Sequence, residues 1–208
     1  MNTLTQYIFN NLRILKGRNT GDTYYEEYIK HYTREGEDFY DHYHLAVETV
    51  AFSKPTRILE IGVRTGICIC NMLSAYIDQS VVERVVLIDL WNDGFTSENI
   101  VKMNLKTLNI PIDKIEFIKG DSLIEVPKLQ GEFDWILVDG CHDKPVAKID
   151  LENVVRLCAK DGMIVFDDIS QYGCALDDVW QEFKINHRNE FLFAENYKGK
   201  GVGWAVKL

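Results

Sequence analysis

The most informative segment of the chain reads Arg57-Ile-Leu-Glu-Ile-Gly62-Val-Arg-Thr-Gly66. Residues 57–61 form a mostly apolar run with the length of a short β-strand, and two glycines follow it closely. Glycine lets the backbone turn sharply, so the segment predicts a strand, a tight loop and the start of a helix. This unit is typical of α/β sheet proteins, which bind ligands beyond the carboxyl ends of their strands.

The alternation of strands and helices continues along the chain. Apolar runs predict strands at 57–62, 85–89, 115–118, 133–139 and 163–167. Helices are predicted at 67–77, at 97–108 with Ser97 as the N-cap, at 146–159 with Asp161-Gly162 as the stop, and at 176–184. Strands that are apolar on both faces indicate a parallel sheet covered by helices on both sides. The expected class is therefore α/β, a Rossmann-like and doubly wound fold.

The two ends of the chain depart from this pattern. Runs at 190–195 and 202–206, joined by a short Lys/Gly-rich link, predict a β-hairpin that completes a mostly parallel seven-stranded sheet with an antiparallel strand. Residues 1–50 predict an N-terminal helical cap over the ligand end of the sheet. No linker divides the chain, so we expect one domain over 1–208, with its core at 56–208. The cap is rich in tyrosines, which fit either amphipathic packing or a substrate cage: Tyr24, Tyr25, Tyr28, Tyr32, Tyr40 and Tyr43.

Composition narrows the functional classes. The chain has 208 residues, of which 46% are hydrophobic and 26% charged, and its formal net charge is −9. These values are typical of a soluble globular protein and disfavour nucleic acid as a partner. No apolar run reaches the roughly 18 residues of a membrane span, so no membrane association is expected. The five cysteines lack the spacing of a disulfide framework or a zinc site. They are interpreted as reduced packing residues of a cytoplasmic protein.

Polar residues at the predicted strand ends suit a nucleoside ligand. Glu60, Gly62 and Gly66 surround the first strand-to-helix turn, where free N–H groups at the helix start favour a carboxylate. Asp89 ends the second strand and is placed to accept hydrogen bonds from two ribose hydroxyls. The third strand is followed by Asp121-Ser122, where a carboxylate can accept a hydrogen bond from the exocyclic amine of adenine.

In this order, the motifs Glu-Ile-Gly-x-x-x-Gly, the acid of strand two, Gly-Asp-Ser, Val-Asp-Gly-x-His and Phe-Asp-Asp resemble the class I S-adenosylmethionine-dependent methyltransferases. The chain is most similar to the small-molecule O-methyltransferase group, which includes macrocin and catechol O-methyltransferase-like enzymes, over about Tyr40 to Leu208. The resemblance implies S-adenosylmethionine as cofactor. It also implies that the glycine turn shapes the methionine pocket, that Asp89 holds the ribose and that Asp121, with Ser122 beside it, holds the adenine. Arg64 stands where the superfamily commonly has Gly.

The ends of strands four and five predict a metal-assisted reaction. Asp139, Asp167 and Asp168 would meet at neighbouring strand ends, and their like charges call for a cation. Oxygen ligands suit Mg²⁺, and the resemblance places a divalent cation on the same positions. The cation would lower the pKa of an acceptor hydroxyl. His142, three positions after Asp139, would then act as the general base. The catechol-type enzymes carry Lys at the matching place, so Lys144 remains a second candidate.

The predicted function is therefore O-methylation of a small molecule, such as a sugar or a catechol, by an enzyme that acts as a monomer or a homodimer. A dinucleotide-dependent oxidoreductase would share the sheet but would need Gly-x-Gly-x-x-Gly at the first turn. Two alternatives keep the cofactor fold: a non-catalytic binding protein, and a metal-dependent hydroxylase-like relative. Methyl transfer to any acceptor would exclude both.

Overall fold

The computed structural model describes residues 3–15 and 40–208. Helix α1 (Thr3–Leu15) and helix α2 (His42–Phe52) precede the first strand. Four of the tyrosines considered above lie outside the described residues: Tyr24, Tyr25, Tyr28 and Tyr32. Among the described residues, no helix combines the length and the apolar character needed to cross a membrane.

One sheet of seven strands organises the described part of the chain. Its strands are β1 (Arg57–Ile61), β2 (Arg84–Asp89), β3 (Ile115–Lys119), β4 (Phe133–Val138), β5 (Cys158–Asp167), β6 (Phe191–Asn196) and β7 (Val202–Lys207). They lie in the order β3-β2-β1-β4-β5-β7-β6. The pairs among β1 to β5 are parallel, whereas β7 pairs antiparallel with both β5 and β6. The predicted doubly wound sheet with a C-terminal antiparallel hairpin is confirmed.

Helices cover both faces of the sheet. They are α3 (Ile67–Ser74), α4 (Glu98–Thr107), α5 (Ser122–Glu125), α6 (Lys144–Val155) and α7 (Asp177–Asn186). Successive side chains of a strand point to opposite faces. Accordingly, Ile58 packs in a core cluster with residues of α1 to α4, whereas Leu59 packs in a second cluster with residues of α6 and α7. This division explains why apolar residues occupy both faces of the parallel strands.

Some of the predicted helix boundaries agree with the structure and others do not. Ser97 caps α4 as expected, since its side chain accepts a hydrogen bond from the backbone N–H of Ile100. The helix predicted to reach residue 77 ends at Ser74. The hydroxyl of Tyr76 donates to the carbonyl oxygen of Pro55 and holds the following segment against the start of β1.

The helix predicted at 146–159 is wrong at both ends. It runs from Lys144 to Val155, and Cys158 already pairs with Phe133 in the sheet. Apolar residues such as Cys158 fit a helix face and a buried strand equally well, and the hydrogen bond from the N–H of Phe133 to the carbonyl oxygen of Leu157 (2.7 Å) favours the strand. The predicted Gly stop is part of an irregular stretch within β5, where the φ of Asp161 is 62°.

The C-terminal hairpin is held to the sheet by an aromatic contact. Trp180 of α7 is fully buried and stacks between Phe166 of β5 and Phe183 of its own helix. Its indole also lies against β7, where a Cβ at Gly203 would come within 2.5 Å of the ring. A glycine is therefore needed where the antiparallel strand passes under the ring.

The two N-terminal helices have different positions. Helix α1 packs on α3, with the Asn11 amide donating to Asn71 (2.9 Å), and none of its residues lines the ligand cavity described below. Helix α2 reaches the ligand end of the sheet through His42 and Tyr43 at its start. Tyr40 donates its hydroxyl to Glu48 at 2.7 Å. The part of the predicted cap that covers the ligand end is thus α2, as far as the described residues show.

All five cysteines are free thiols, as expected. Cys68, Cys70 and Cys158 are buried, and Cys174 is half-buried. The interpretation of all five as packing residues is wrong for Cys141, which is exposed because it lies in the open loop after β4.

Asp134 joins the starts of β1 and β4, and its replacement tests this link. Its Oδ2 accepts hydrogen bonds from the N–H and the hydroxyl of Thr56 and from the N–H of Arg57, and its Oδ1 binds the Arg57 guanidinium at 2.7 Å. We expect Asp134→Ala to lower the free energy of unfolding by about 2 kcal/mol, because three backbone and hydroxyl donors lose their acceptor. Urea denaturation measures the change. The exposed Asp113→Ala should stay within about 0.5 kcal/mol of wild type, and equal losses in both variants would contradict the assignment.

Candidate active site

A cavity of about 470 Å³ opens at the carboxyl ends of the strands, where the strand order reverses between β1 and β4. This is the topological switch point, where open α/β sheets bind their ligands. Most of the predicted site residues line it: Glu60, Gly62, Asp89, Asp121, Ser122, Asp139, His142 and Asp168. Gly66 and Asp167 do not line the cavity themselves, but residues next to them in the chain do: Thr65, Ile67 and Asp168.

The loop after β1 brings two strand ends into contact. Gly62 has a φ of +87°, and a Cβ at this position would lie 1.8 Å from the carbonyl oxygen of Asp139. Gly66 caps α3 with a φ of +75°, and a Cβ there would lie 2.6 Å from the side chain of Val101 in α4. Both positions therefore require glycine for conformation and for space. The start of α3, which has no side-chain cap, lies at the cavity, since Ile67 and Cys68 line it.

Asp89, at the end of β2, ties two loops together. Its Oδ2 accepts the N–H of Arg64 and its Oδ1 accepts the N–H of Trp91, both at 2.7 Å. The Trp91 indole in turn donates to the carbonyl oxygen of Arg64 at 2.9 Å. A carboxylate has about four lone-pair sites, so Asp89 keeps acceptor capacity for ligand hydroxyls.

Backbone strain is concentrated around this cavity. Arg64, Trp91 and Asp168 are non-glycine residues with φ values of 51°, 41° and 60°. Left-handed backbone costs about 1–2 kcal/mol per residue and is often found at functional sites. The positive φ of Arg64 is a conformation that glycine would adopt without strain. In this chain the bonds to Asp89 and Trp91 hold the strained loop in place.

Glu60 lies beneath the cavity and is 1% exposed. Its Oε2 has no hydrogen-bond partner among residues 3–15 and 40–208. Burial raises the pKa of Glu60 to about 8; the charge of His42 opposes this rise, and the carboxylates of Asp139 and Asp89 add to it. A buried acceptor of this kind fits a ligand that donates a hydrogen bond or carries positive charge.

Asp121 and Ser122 form the wall at the start of α5. Asp121 caps this helix by accepting the N–H of Leu123 at 2.9 Å. The Ser122 hydroxyl donates to Oδ2 of the buried Asp150 at 2.8 Å. Asp150 was missed by the sequence analysis, and burial raises its pKa to about 6. Because Ser122 uses its proton in this bond, its oxygen is left as an acceptor, which suits an exocyclic amine.

The carboxylates after β4 and β5 lie in two adjacent clusters. Asp139 and Asp167 share one cluster with His42, and Asp168 shares the other with His142 and Cys174; within each cluster the candidate ligand atoms lie within 4.8 Å of one another. His142 connects the two clusters, since its Nε2 is 3.0 Å from Oδ2 of Asp168 and 3.6 Å from Oδ1 of Asp139. The strand ends thus bring the predicted carboxylates together, with histidines between them.

His142, the predicted general base, is partly exposed at the cavity. Its side chain is 45% exposed. The facing carboxylates of Asp139 and Asp168 stabilise the protonated imidazole and raise the pKa of His142 to about 10. The imidazole is therefore protonated at neutral pH, provided that no other cation neutralises the two carboxylates. Lys144, the second candidate base, does not line the cavity, and its Nζ binds Oδ2 of Asp178 at 2.8 Å.

Sequence reasoning missed two cationic residues of the site. His42 begins α2, and its Nδ1 lies 3.0 Å from Oδ2 of Asp167. Lys200 lies in the link between β6 and β7, and its Nζ is 3.6 Å from Oδ1 of Asp168. Burial lowers the pKa of His42, but the nearby carboxylates of Asp167, Asp139 and Asp41 together outweigh burial and raise it to about 10. A cation in the Gly-rich link at the edge of the sheet was the one local signal for Lys200.

The carboxylate donor set fits a divalent cation. The oxygens of Asp167 and Asp168 are buried and have no hydrogen-bond partner within the described part of the chain. Such oxygens are the ligands that hard divalent cations prefer. In the structure, the side chains of His42, His142 and Lys200 offset the carboxylate charge.

Residues 59–169 of the chain match the family model described as "Methyltransferase domain". The match starts in β1 and ends just after β5, so it includes all the strand ends that surround the cavity. No curated protein was found to match the chain.

Solved structures with a similar fold include several methyltransferases. The methyltransferase PaMTH1 of Podospora anserina, with S-adenosylhomocysteine bound, is 15% identical with a TM-score of 0.68, over 100% of this chain and 89% of that one. The O-methyltransferase TomG of Streptomyces achromogenes, in complex with S-adenosylmethionine, is 18% identical with a TM-score of 0.60, over 78% of each chain. A methyltransferase from Geobacter sulfurreducens is 21% identical with a TM-score of 0.59, over 80% and 77%.

The raised pKa of Glu60 predicts a pH-dependent cost to stability. The folded state holds a proton on Glu60 that the unfolded state releases above its ordinary pKa of about 4.3, so stability is lost as the pH rises from there towards about 8. We expect Glu60→Gln to stabilise the ligand-free protein relative to wild type by about 1–2 kcal/mol at pH 8, and by less near pH 5.

Urea denaturation at both pH values measures this difference. The exposed Glu83→Gln is the matched control and should show no pH-dependent gain. A Glu60→Gln effect that is constant between pH 5 and 8 would contradict the burial of a titrating carboxyl.

Proposed function

The chain belongs to the methyltransferase family whose domain it matches, and we propose that it transfers a methyl group from S-adenosylmethionine to a hydroxyl oxygen of a small molecule. The observation that carries the proposal is the convergence of acidic side chains, a glycine turn and His142 on one cavity at the switch point. The bound S-adenosylhomocysteine and S-adenosylmethionine of PaMTH1 and TomG support the choice of cofactor.

Each part of the cofactor has a matching group in the cavity wall. Asp89 has the acceptor capacity for the ribose hydroxyls, and Asp121 and Ser122 offer acceptors to the adenine amine. The buried Glu60 suits the ammonium group of the methionine part, and the start of α3 suits its carboxylate. Bound in this way, the cofactor would supply a methyl group on a sulfonium: the acceptor oxygen bonds to the methyl carbon in line as the carbon–sulfur bond breaks, and S-adenosylhomocysteine is the leaving group.

The acceptor would be oriented and deprotonated at the ends of β4 and β5. A divalent cation on Asp139, Asp167 and Asp168, for which oxygen donors predict Mg²⁺, would supply charge that lowers the pKa of an acceptor hydroxyl. With the carboxylate charge offset, His142 would lose the influence that keeps it protonated and could accept the hydroxyl proton. Asp139 lies beside the imidazole, with its Oδ1 3.6 Å from Nε2, and would position His142 near the acceptor.

A small polyhydroxylated acceptor, such as a sugar or a catechol, suits this site. Two neighbouring hydroxyls can face the carboxylates and His142 together. The net charge of −9 disfavours a nucleic-acid acceptor. TomG, which shares the fold, is an O-methyltransferase involved in tomaymycin synthesis, and it supports a small-molecule acceptor.

Calorimetric titration with S-adenosylhomocysteine tests the cofactor site. We expect Asp89→Asn to weaken binding by at least about tenfold, because a charge-assisted acceptor for the ribose is lost. The matched control is Asp78→Asn, a surface carboxylate that caps a short turn at Ser80, which should change binding by less than about twofold. Thermal melting verifies that the variants are folded. Folded wild-type protein that does not bind the ligand would overturn the proposed cofactor.

Methyl transfer from labelled S-adenosylmethionine to a panel of sugars and catechols tests the reaction. We expect His142→Gln to lower kcat by about 10²- to 10⁴-fold with little effect on S-adenosylhomocysteine binding, because it removes only the base. His187→Gln is the control, since His187 lies outside the cavity, between Glu152 and Glu190. A chelator should also suppress transfer. Full activity in His142→Gln would contradict the assignment of the base.

A further inference from the structure

His42 is a buried histidine that faces two carboxylates of the site. Its Nδ1 lies 3.0 Å from Oδ2 of Asp167, yet the two atoms are not aligned as a hydrogen bond. As a result, Nδ1 of His42 and both oxygens of Asp167 have no hydrogen-bond partner in the described part of the chain. Three buried polar atoms in this state are costly, and a bound ion that contacts all of them would remove the cost.

The distances match those between ligands of one metal ion. Two donor atoms in cis positions of an octahedral cation, each ~2.1 Å from it, lie ~3 Å apart, and trans donors lie ~4.2 Å apart. The 3.0 Å separation of His42 Nδ1 and Asp167 Oδ2 has the cis value. One donor atom from each of His42, Asp139 and Asp167 lies within 4.8 Å of the other two, which covers both separations.

We propose that His42 is a direct ligand of the divalent cation, so that this site binds a transition-metal ion such as Mn²⁺ in preference to Mg²⁺. The proposal rests on the proposed function, in which Asp139 and Asp167 already hold the cation. An imidazole nitrogen is a softer ligand than a carboxylate oxygen and suits first-row transition metals. Mg²⁺ instead takes oxygen ligands and retains several waters.

The fold holds the imidazole of His42 in a fixed position. Asp41 caps α2, with its Oδ1 accepting the N–H groups of Tyr43 at 2.9 Å and His44 at 3.2 Å. His42 is therefore the first residue of a capped helix, and its ring packs edge-on against Tyr43 with 4.2 Å between centroids. Helix α2 packs in the same core cluster as α3, which starts at the cofactor loop. The orientation of Nδ1 is thus set by the same packing that sets the cavity.

The two histidines of the site then have separate tasks. His42 is 1% exposed and contacts Asp167, whereas His142 is 45% exposed and contacts Asp168. A buried imidazole can bind a metal ion but is shielded from an acceptor, whereas a half-exposed one is reachable by the acceptor. Lys200 also faces Asp168, with its Nζ 3.6 Å from Oδ1. His42 therefore binds the cation, and His142 remains available for proton transfer.

Pulsed electron paramagnetic resonance of Mn²⁺ bound to the full chain with S-adenosylhomocysteine tests the proposal directly. We expect a ¹⁴N coupling in wild type that is replaced by a ¹⁵N coupling when the protein is made with ¹⁵N-labelled histidine. This measurement needs no substitution and does not depend on the folding of a variant. The coupling should be lost in His42→Gln. It should be retained in His142→Gln and in the control variant His187→Gln, whose histidine lies outside the cavity.

Binding titrations with the metal salts alone provide the second measurement. We expect wild type to bind Mn²⁺ more tightly than Mg²⁺, and His42→Gln to weaken Mn²⁺ binding by more than about 100-fold while changing Mg²⁺ binding much less. Loss of a direct metal ligand should weaken Mn²⁺ binding more than loss of a residue that only hydrogen-bonds to a ligand.

Three results would overturn the proposal. Bound Mn²⁺ without histidine coupling in wild type would show an all-oxygen site, and coupling lost only in His142→Gln would identify the other histidine as the ligand. If the protein binds S-adenosylhomocysteine but no Mn²⁺, His42 is not a metal ligand, and the proposed cofactor site is unaffected. Failure of S-adenosylhomocysteine to bind is a separate result, which would overturn the proposed function itself.

Discussion

The site depends on sheet hydrogen bonding that continues beyond β1 into its glycine loop. The N–H of Gly62 donates to the carbonyl oxygen of Ile88, and the N–H of Asp139 donates to that of Ile61, both at 2.9 Å. These bonds hold the ends of β1, β2 and β4 at one level, so the polar residues that follow each strand converge. Only glycine allows this approach, because a Cβ at position 62 would overlap the backbone of Asp139.

Buried charge is the second organising constraint. Glu60, Asp139, Asp167 and Asp168 lie close together, and burial favours their neutral forms unless positive charge is near. The described structure places His42, His142 and Lys200 against them. Positive charge from a cofactor or a metal ion would therefore be bound favourably, because the carboxylates that attract it are poorly solvated. The same carboxylates determine whether His142 is protonated, which links charge balance to proton transfer.

Strain and packing keep these groups in place. Arg64 and Trp91 adopt left-handed backbone conformations and are held by hydrogen bonds to each other and to Asp89. Helix α2 adds a capped start that presents His42 to the strand ends. The N-terminal segment is thus more than a cover for the sheet, since within the described residues it contributes a side chain to the polar centre.

The order of strands and helices, the C-terminal hairpin and the strand-end groups such as Asp89 were predictable from the sequence, because apolar runs and glycine turns are local patterns. The end of α6 was not, because Cys158 suits a helix face and a buried strand equally, and pairing with Phe133 selects the strand. The contacts of His42 with Asp167 and of Lys200 with Asp168 were also unpredictable. Each joins segments that are distant along the chain, and only the packing of α2 and the hairpin link against the sheet brings them within reach.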